Sequence, residues 1–242
     1  IHVDSQLISP DNSDDFLPGG DSRLEAFLTG IKNNSIIDEG NARPDIDLPP
    51  SSFDFDAMAP GRVFTMAGEQ YKYLEDMGNG NHMIIRHEAI RRTSFNEQPQ
   101  VLSDWFSGLD AEVRGMVQPV SIPVSAPSVA AISINLSAGA GTNYWLPTNL
   151  ADFPEVAADV TAINSNGTPQ AFALSLADVA RLSTPAGPFP NGRARIGGHH
   201  TTWMTRTPTL PGESSNQSIW SVVRFHNGGL NGHRQVGFSD NG

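Results

Sequence analysis

The stretch RVFTMAGEQYKYLEDM, residues 62–77, decides how this chain is to be read. Val63, Phe64 and Met66 make a short apolar run that breaks at Gly68-Glu69. The aromatic-rich Tyr-Lys-Tyr-Leu just beyond it predicts a short turn of helix. This is the first convincing strand in 242 residues, and a quarter of the chain precedes it. The sequence therefore divides into a leading arm, residues 1–60, and a β domain, residues 61–242.

Charge follows the same division. The formal net charge is −11. Residues 1–60 hold 12 acidic side chains against Arg23, Lys32 and Arg43, a net of −9, and the remainder carries a net of only −2. So acidic an arm is unsuited to gripping nucleic-acid phosphates. Among the cations, 13 arginines outnumber 2 lysines. The planar, bidentate guanidinium suits polar protein interfaces better than it suits a merely solubilising surface.

Within the arm, residues 1–20 read as extended and turn-rich. Residues 21–32 (DSRLEAFLTGIK) predict one short helix, capped by Asp21 or Ser22, with Glu25 in its first turn. Leu24, Phe27, Leu28 and Ile31 share one face of it. A lone helix this short is marginal in water, so that face requires a docking partner. Pro44, Pro49, Pro50 and Pro60 then forbid a continuous helix or a central strand and predict an extended crossing segment.

Beyond Gly68 the pattern is that of a β domain. Apolar runs at Met83-Ile84-Ile85, 101–120 (VLSDWFSGLDAEVRGMVQPV) and Val120/Ile122/Val124 lead to a half-buried strand alternating Ile132, Ile134 and Leu136. A further strand over 217–229 sets Ile219, Val223 and Phe225 against Trp220 and Val222. Turn signals separate these runs at 78–81, 137–143, 165–169, 186–192 and 226–232. Residues 150–163 and 174–182 read as short helices within loops. The 23 glycines and 18 prolines fit a turn-rich sandwich. The expected architecture is all-β: an antiparallel sandwich of jelly-roll type with long loops.

Few chemistries fit. The chain has no cysteine, which removes disulfides, thiolate zinc sites and cysteine nucleophiles and leans toward a reducing compartment. Asn-x-Ser/Thr sequons at Asn33, Asn135, Asn166 and Asn216 matter only in a secretory pathway. No window approaches the roughly 18 consecutive apolar residues of a membrane helix, and no charged-then-apolar leader is visible. His82 and His87 are five apart and His199-His200 adjacent, so neither pair shares a face as metal ligands must. No nucleophile elbow, phosphate loop or dinucleotide fingerprint is present. The acidic pairs Asp45/Asp47 and Asp54/Asp56 read as solvated or interface-paired, and Arg86, Arg91 and Arg92 as a subunit contact or a solvated cluster. No catalytic, cofactor-binding or metal-binding residue is assigned.

RVFTMAGEQYKYLEDM resembles the segment that starts the β-barrel in major capsid proteins of picorna-like viruses (Picornavirales), where an arm leads into a Gly-Glu step and a short helix. Here Gly68-Glu69 precede Tyr71, Lys72, Tyr73 and Leu74. Residues 101–117 resemble the family's helix-to-strand passage, with Trp105, Phe106 and Gly108 before a strand opened by Arg114-Gly115. The family's arginine before Leu74 and its Pro-Tyr-aromatic tail are missing. The resemblance implies an eight-stranded jelly-roll subunit released from a polyprotein, without enzymatic activity, cofactor or metal. Its partners would be related capsid subunits in a hetero-oligomeric icosahedral shell, an RNA genome contacted weakly or indirectly, and a host receptor met through surface loops. It would belong to the virion and assemble in the host cytoplasm.

Ile1 then reads either as part of a longer chain or as the start of a mature product. Asp14-Asp15-Phe16 has the letters of the family's self-cleavage motif in the wrong context, and no cleavage role is assigned to it. The alternative is a secreted or phage-tail β-sandwich that binds carbohydrate, with Trp105, Trp145, Trp203 and Trp220 stacking on sugar rings. A β-sandwich enzyme stands third.

Overall fold

Ala67 and Gly68 set how the chain leaves its opening strand. Both have positive φ, 50° and 81°. That is the two-residue primed turn whose twist matches a tight hairpin. The computed structural model describes residues 42–91, 93–122, 133–136, 146–195, 202–208, 219–223 and 229–231. In it β2 (Val63–Met66) turns at Ala67-Gly68 into β3 (Glu69–Gly78), pairing Met66 with Glu69 and Val63 with Lys72. The helical turn expected after Gly68 is thus a ten-residue strand. Tyr71, Lys72, Tyr73 and Leu74 are all buried, because β3 is covered on both faces. No alternation survives in such a strand to mark it as β.

Asn79 and Gly80, again at positive φ, close a second two-residue turn into β4 (Asn81–Arg86). The proline-rich segment before β2 supplies β1 (Asp47–Leu48), parallel to β2, and then two 3-10 turns, Pro50–Ser52 and Phe55–Ala57. The first sheet therefore runs β1-β2-β3-β4. A second sheet has β5 (Pro119–Ser121) between β6 (Ala162–Ile163) and β7 (Thr168–Pro169), and a third has β9 (Ile219–Val223) between β8 (Thr202–Pro208) and β10 (Gly229–Asn231). Apart from β1, every pairing is antiparallel. The fold is β-rich with a few short helices, and among the described residues no helix is long and apolar enough to cross a membrane.

The first sheet separates two apolar clusters. On one face Phe64, Met66, Tyr71 and Tyr73 meet Ala42, Met58, Phe53 and Phe55 from the segment before β2, with Val113, Trp105 and Leu109 from the helical region. On the other, Leu74 and Met83 join Ile134, Leu146, Val156, Leu174 and Phe189 around α4 (Leu176–Leu182). This helix is the one expected within 174–182. Ser175 and Asp178 form a reciprocal capping box, and Leu176, Val179 and Leu182 face the core.

Four other expectations change. Arg114-Gly115 do not open a strand: they lie in α2 (Ala111–Met116), which comes after α1 (Gln98–Gly108) and begins at an Asp110 cap. Of the strand expected around Ile132–Leu136, the described part makes one bridge, Leu136 to Pro147. The Asn149 side chain substitutes for a partner strand there, accepting from Asn135 N (2.8 Å) and donating to the Ser133 carbonyl (3.0 Å). Gly229–Asn231, expected as turn, form β10. The expected helical segment 150–163 shortens to a 3-10 turn and the four-residue α3 (Pro154–Ala157), then ends in β6. The arm's residues 1–41, with its expected helix and Asp14-Asp15-Phe16, lie outside the described residues, as do Arg92, Trp145 and His199-His200.

Candidate binding cleft

A strand at a sheet edge shows a row of unpaired N–H and C=O groups, and proteins normally cover or blunt it. β4 is such an edge. A mostly apolar cleft of about 430 Å³ lies against it, and every residue from Gly80 to Arg91 contributes to the wall. Side chains alternate across a strand, so a cavity on one face would touch every second residue. Unbroken lining means that the cleft follows the edge of β4 itself. One wall comes from α1 and α2, through Trp105, Leu109 and Val113. The other comes from Phe172, Trp203 and Met204.

Pairing registers show which backbone groups face this space. Tyr73 exchanges its backbone bonds with the β2 side, donating to Arg62 O and accepting from Gly61 N, both at 2.8 Å. Its partner on β4, Ile84, is therefore in a non-bonded pair and turns its N–H and C=O away from β3. His87 N donates to Gln70 O (2.8 Å), so Arg86, one residue earlier, also points outward. Among the described residues, no backbone group pairs with Ile84 or Arg86 on that outer side.

Several of the polar side chains at the cleft are already engaged or shifted by burial. Arg86 is committed, its Nε donating to Glu69 (2.7 Å) and Nη1 to the carbonyls of Glu88 and Ala89 (both 2.8 Å). Lys72, 7 % exposed, donates from Nζ to Ala194 O (2.6 Å) and lies 5.8 Å from the centroid of the Phe189 ring. Burial still lowers its pKa, the cost of desolvation exceeding these contacts. Burial also lowers His87, with the Lys72 charge adding and Glu88 opposing, and raises the Tyr71 phenol to about 12. Tyr71 Oη, His87 Nδ1 and Trp105 Nε1 are buried without a hydrogen-bond partner, and all three residues line the cleft. Such orphans are rare and costly.

Of the residues singled out from sequence, His82, Arg86, His87, Arg91, Trp105 and Trp203 line the cleft, whereas Asp45, Asp47, Asp54 and Asp56 do not. His82 is held by the Tyr73 hydroxyl at Nδ1 (3.0 Å) and by Asp56 at Nε2 (3.3 Å), remote in role from His87. Among the described residues no group of three or more His, Asp or Glu is placed to hold a metal ion. Asp45 pairs with Arg43, whose hydrogen bond lowers its pKa, and Asp47 accepts from Gly68 N (3.0 Å) to brace the hairpin turn. Trp105 and Trp203 both border the cleft. Trp203 packs on the core and donates its N–H to Arg195 O (2.7 Å).

Sequence reasoning missed a buried polar cluster behind the cleft. Arg206 on β8 donates to Asp159 (2.8 Å) and Asp178 (3.0 Å), and Asp178 also accepts from Thr161 N (2.9 Å) and Oγ1 (2.7 Å). Burial raises the pKa of Asp159 against the lowering effect of Arg206, and its Oδ2 has no partner. Every charge here is locked into the fold, so the cluster is a brace between β8, α4 and the 159–161 segment. No protein family, no curated protein and no solved structure matches this chain.

Proposed function

We propose that this chain is a structural subunit of the icosahedral shell of a small non-enveloped RNA virus of picorna-like type, assembling with related subunits. In this reading the described sheets are parts of an eight-stranded antiparallel jelly roll. A shell subunit must combine a rigid tile with an arm that reaches its neighbours. The observation that carries the proposal is how the acidic leading segment joins the tile. It adds β1 to the sheet in parallel with β2 and packs Phe53, Phe55 and Met58 over Phe64 and Tyr73. Residues 42–60 of the acidic segment are thus built into the β frame. No catalytic or cofactor role is assigned to any residue, and RNA contact is left mainly to other chains because the charge of this one repels phosphate.

The carbohydrate-binding alternative needs exposed aromatic faces and many hydrogen-bonding groups for sugar hydroxyls. The cleft that Trp105 and Trp203 border has a mostly apolar surface, and its arginine and lysine side chains Arg86 and Lys72 are already bonded within the fold, a poor match for that demand. Electron microscopy of native material containing this chain tests the proposal: closed shells of uniform size are expected. Material that remains monomeric and binds oligosaccharides overturns it. A tight, salt-sensitive RNA complex of this chain alone counts against the assigned division of labour.

A further inference from the structure

An asparagine followed by glycine is open to self-modification, because no side chain shields the glycine N–H from the carboxamide before it. Three such pairs lie wholly within the described residues: Asn79-Gly80, Asn166-Gly167 and Asn191-Gly192. Reaction needs a free glycine N–H, an unengaged carboxamide and room for the peptide between them to rotate. At Asn166 the first and third are missing. Gly167 N donates to Asn164 O (2.8 Å), and a Cβ on Gly167 would lie 2.2 Å from Val120 O, so backbone crowds the peptide. At Asn191 the second is missing, since its Oδ1 accepts from Ala194 N (3.1 Å), and Gly192 is buried. Asn79 and Gly80 are both exposed at the tip of the β3–β4 hairpin. Among the described residues nothing bonds the Asn79 carboxamide or Gly80 N, and nothing lies within 4 Å of a would-be Cβ on Gly80.

The turn itself supplies the approach. Asn79 has φ of 56° and Gly80 of 70°, which is the I′ form of the two-residue turn. Its II′ counterpart keeps φ of about +60° at the first position and flips the central peptide, carrying ψ there to about −120°. Tetrahedral geometry at Cα then puts Gly80 N on the same side as the Asn79 Cβ, within reach of Cγ. Gly80 accepts either sign of φ, so the flip meets no side-chain clash. It gives up one long bond, Asn81 Nδ2 to Asn79 O (3.2 Å), and leaves the bond from Asn81 Nδ2 to Gly78 O (3.0 Å) in place.

We infer that Asn79 is a site of spontaneous deamidation, modified by water through a cyclic imide formed with Gly80 N. Gly80 N loses its proton to solvent base and bonds Cγ of Asn79. The Cγ–Nδ2 bond breaks, and Nδ2 leaves as ammonia. Water then opens one of the two imide C–N bonds, giving aspartate or, where the bond at the main-chain carbonyl opens, isoaspartate. In sum, amide and water become carboxylic acid and ammonia. Either product sets a carboxylate near Asp76, whose Oδ1 already accepts from Gly78 N (2.7 Å). Isoaspartate also lengthens the main chain by a methylene, so the two-residue turn between Gly78 and Asn81 no longer closes. The reaction runs one way, and the hairpin tip therefore records the age of the molecule. The assignment stands independently of the shell proposal.

Trypsin releases residues 73–86 as one fragment, because Lys72 and Arg86 bound it. The full folded chain is held in mildly alkaline buffer for weeks, sampled and digested. Fragmentation mass spectrometry locates each new acid, and an isoaspartyl methyltransferase counts the isoaspartate. Asn79 should convert at least about fivefold faster than Asn166 or Asn191, whose reaction waits on the loss of a hydrogen bond. Isoaspartate should be among the products, and the rate should rise with pH as the amide proton becomes easier to remove. Asn79→Gln should leave the fragment unmodified, since its longer side chain closes a larger ring slowly. Conversion of Asn79 no faster than that of Asn166 and Asn191 overturns the inference, as does conversion at Asn81 in its place. Conversion seen only in urea overturns it too, because the folded turn is then locked in its I′ form.

Discussion

At Ala67 a side chain occupies the left-handed backbone region that the hairpin demands, with φ of 50°. The Asn-Gly pair is favoured in this turn, and Ala67→Asn should raise stability by about 0.5–1 kcal/mol, read from urea unfolding. Its neighbour Gly68 has open space around a would-be Cβ. Gly68→Ala should therefore cost about 1–2 kcal/mol from backbone strain alone. His87 makes a pH prediction. Burial lowers its pKa in the fold below the ordinary 6.5, so the unfolded chain binds the proton more readily. Stability is full above pH 6.5 and declines as pH falls through that value toward the lowered one. Thermal melts between pH 7.5 and 5.5 should show the decline, and His87→Gln should flatten it. A slope identical in the variant assigns the acid sensitivity to other groups.

Among the elements, legibility depends on one-sidedness. α4 can be read because it buries one face and carries its capping box in adjacent letters, and β2 shows itself in its short apolar run. β3 does not, because burial on both faces and a buried lysine erase alternation. Ala67 conceals the turn that would announce it. The cleft is invisible for another reason: its walls come from β4, α1, α2 and β8, far apart in sequence, and its main feature is backbone that no side-chain pattern encodes. Trp105, Trp203, Arg86 and His87 each stand out in the sequence, but for unrelated chemistries. The Arg206 brace leaves no signal either, since Asp159, Asp178 and Arg206 are isolated letters. Asp178→Ala removes one half of the α4 capping box, the bond from Ser175 N, and leaves Arg206 buried with one carboxylate, so unfolding by denaturant should show a loss of about 3–5 kcal/mol. At the β5–β7 pairing, a Cβ on Gly167 would sit 2.2 Å from Val120 O, a backbone atom that cannot step aside, so Gly167→Ala should disrupt that pairing.

On the scale of the whole molecule, the charge boundary near residue 60 and the packing boundary differ. Phe53, Phe55 and Met58 belong to the cluster of Phe64 and Tyr73. Removing residues 1–57 takes away the half-buried Phe53 and Phe55, buried Ala42 and strand β1 together, so that shortened chain should melt well below the full chain or fail to fold. A chain lacking only residues 1–32 should melt cooperatively near the intact temperature, by calorimetry, and, on the proposed shell reading, should not complete shells with related subunits. Normal shells from that shorter chain would remove the arm's role in assembly.

Lys72, enclosed at the centre of the first sheet, also bears on how the protein can be handled chemically. Lys32 is the only other lysine in the sequence. Amine-directed acylating reagents and surface-coupling chemistries should therefore spare the β frame and modify the arm or the amino terminus. Lys72 should become labelled only when the sheet parts, so the mass of one tryptic fragment would count opened molecules in a population. Rapid labelling of Lys72 under native conditions would mean that this face of the sheet is reached by solvent.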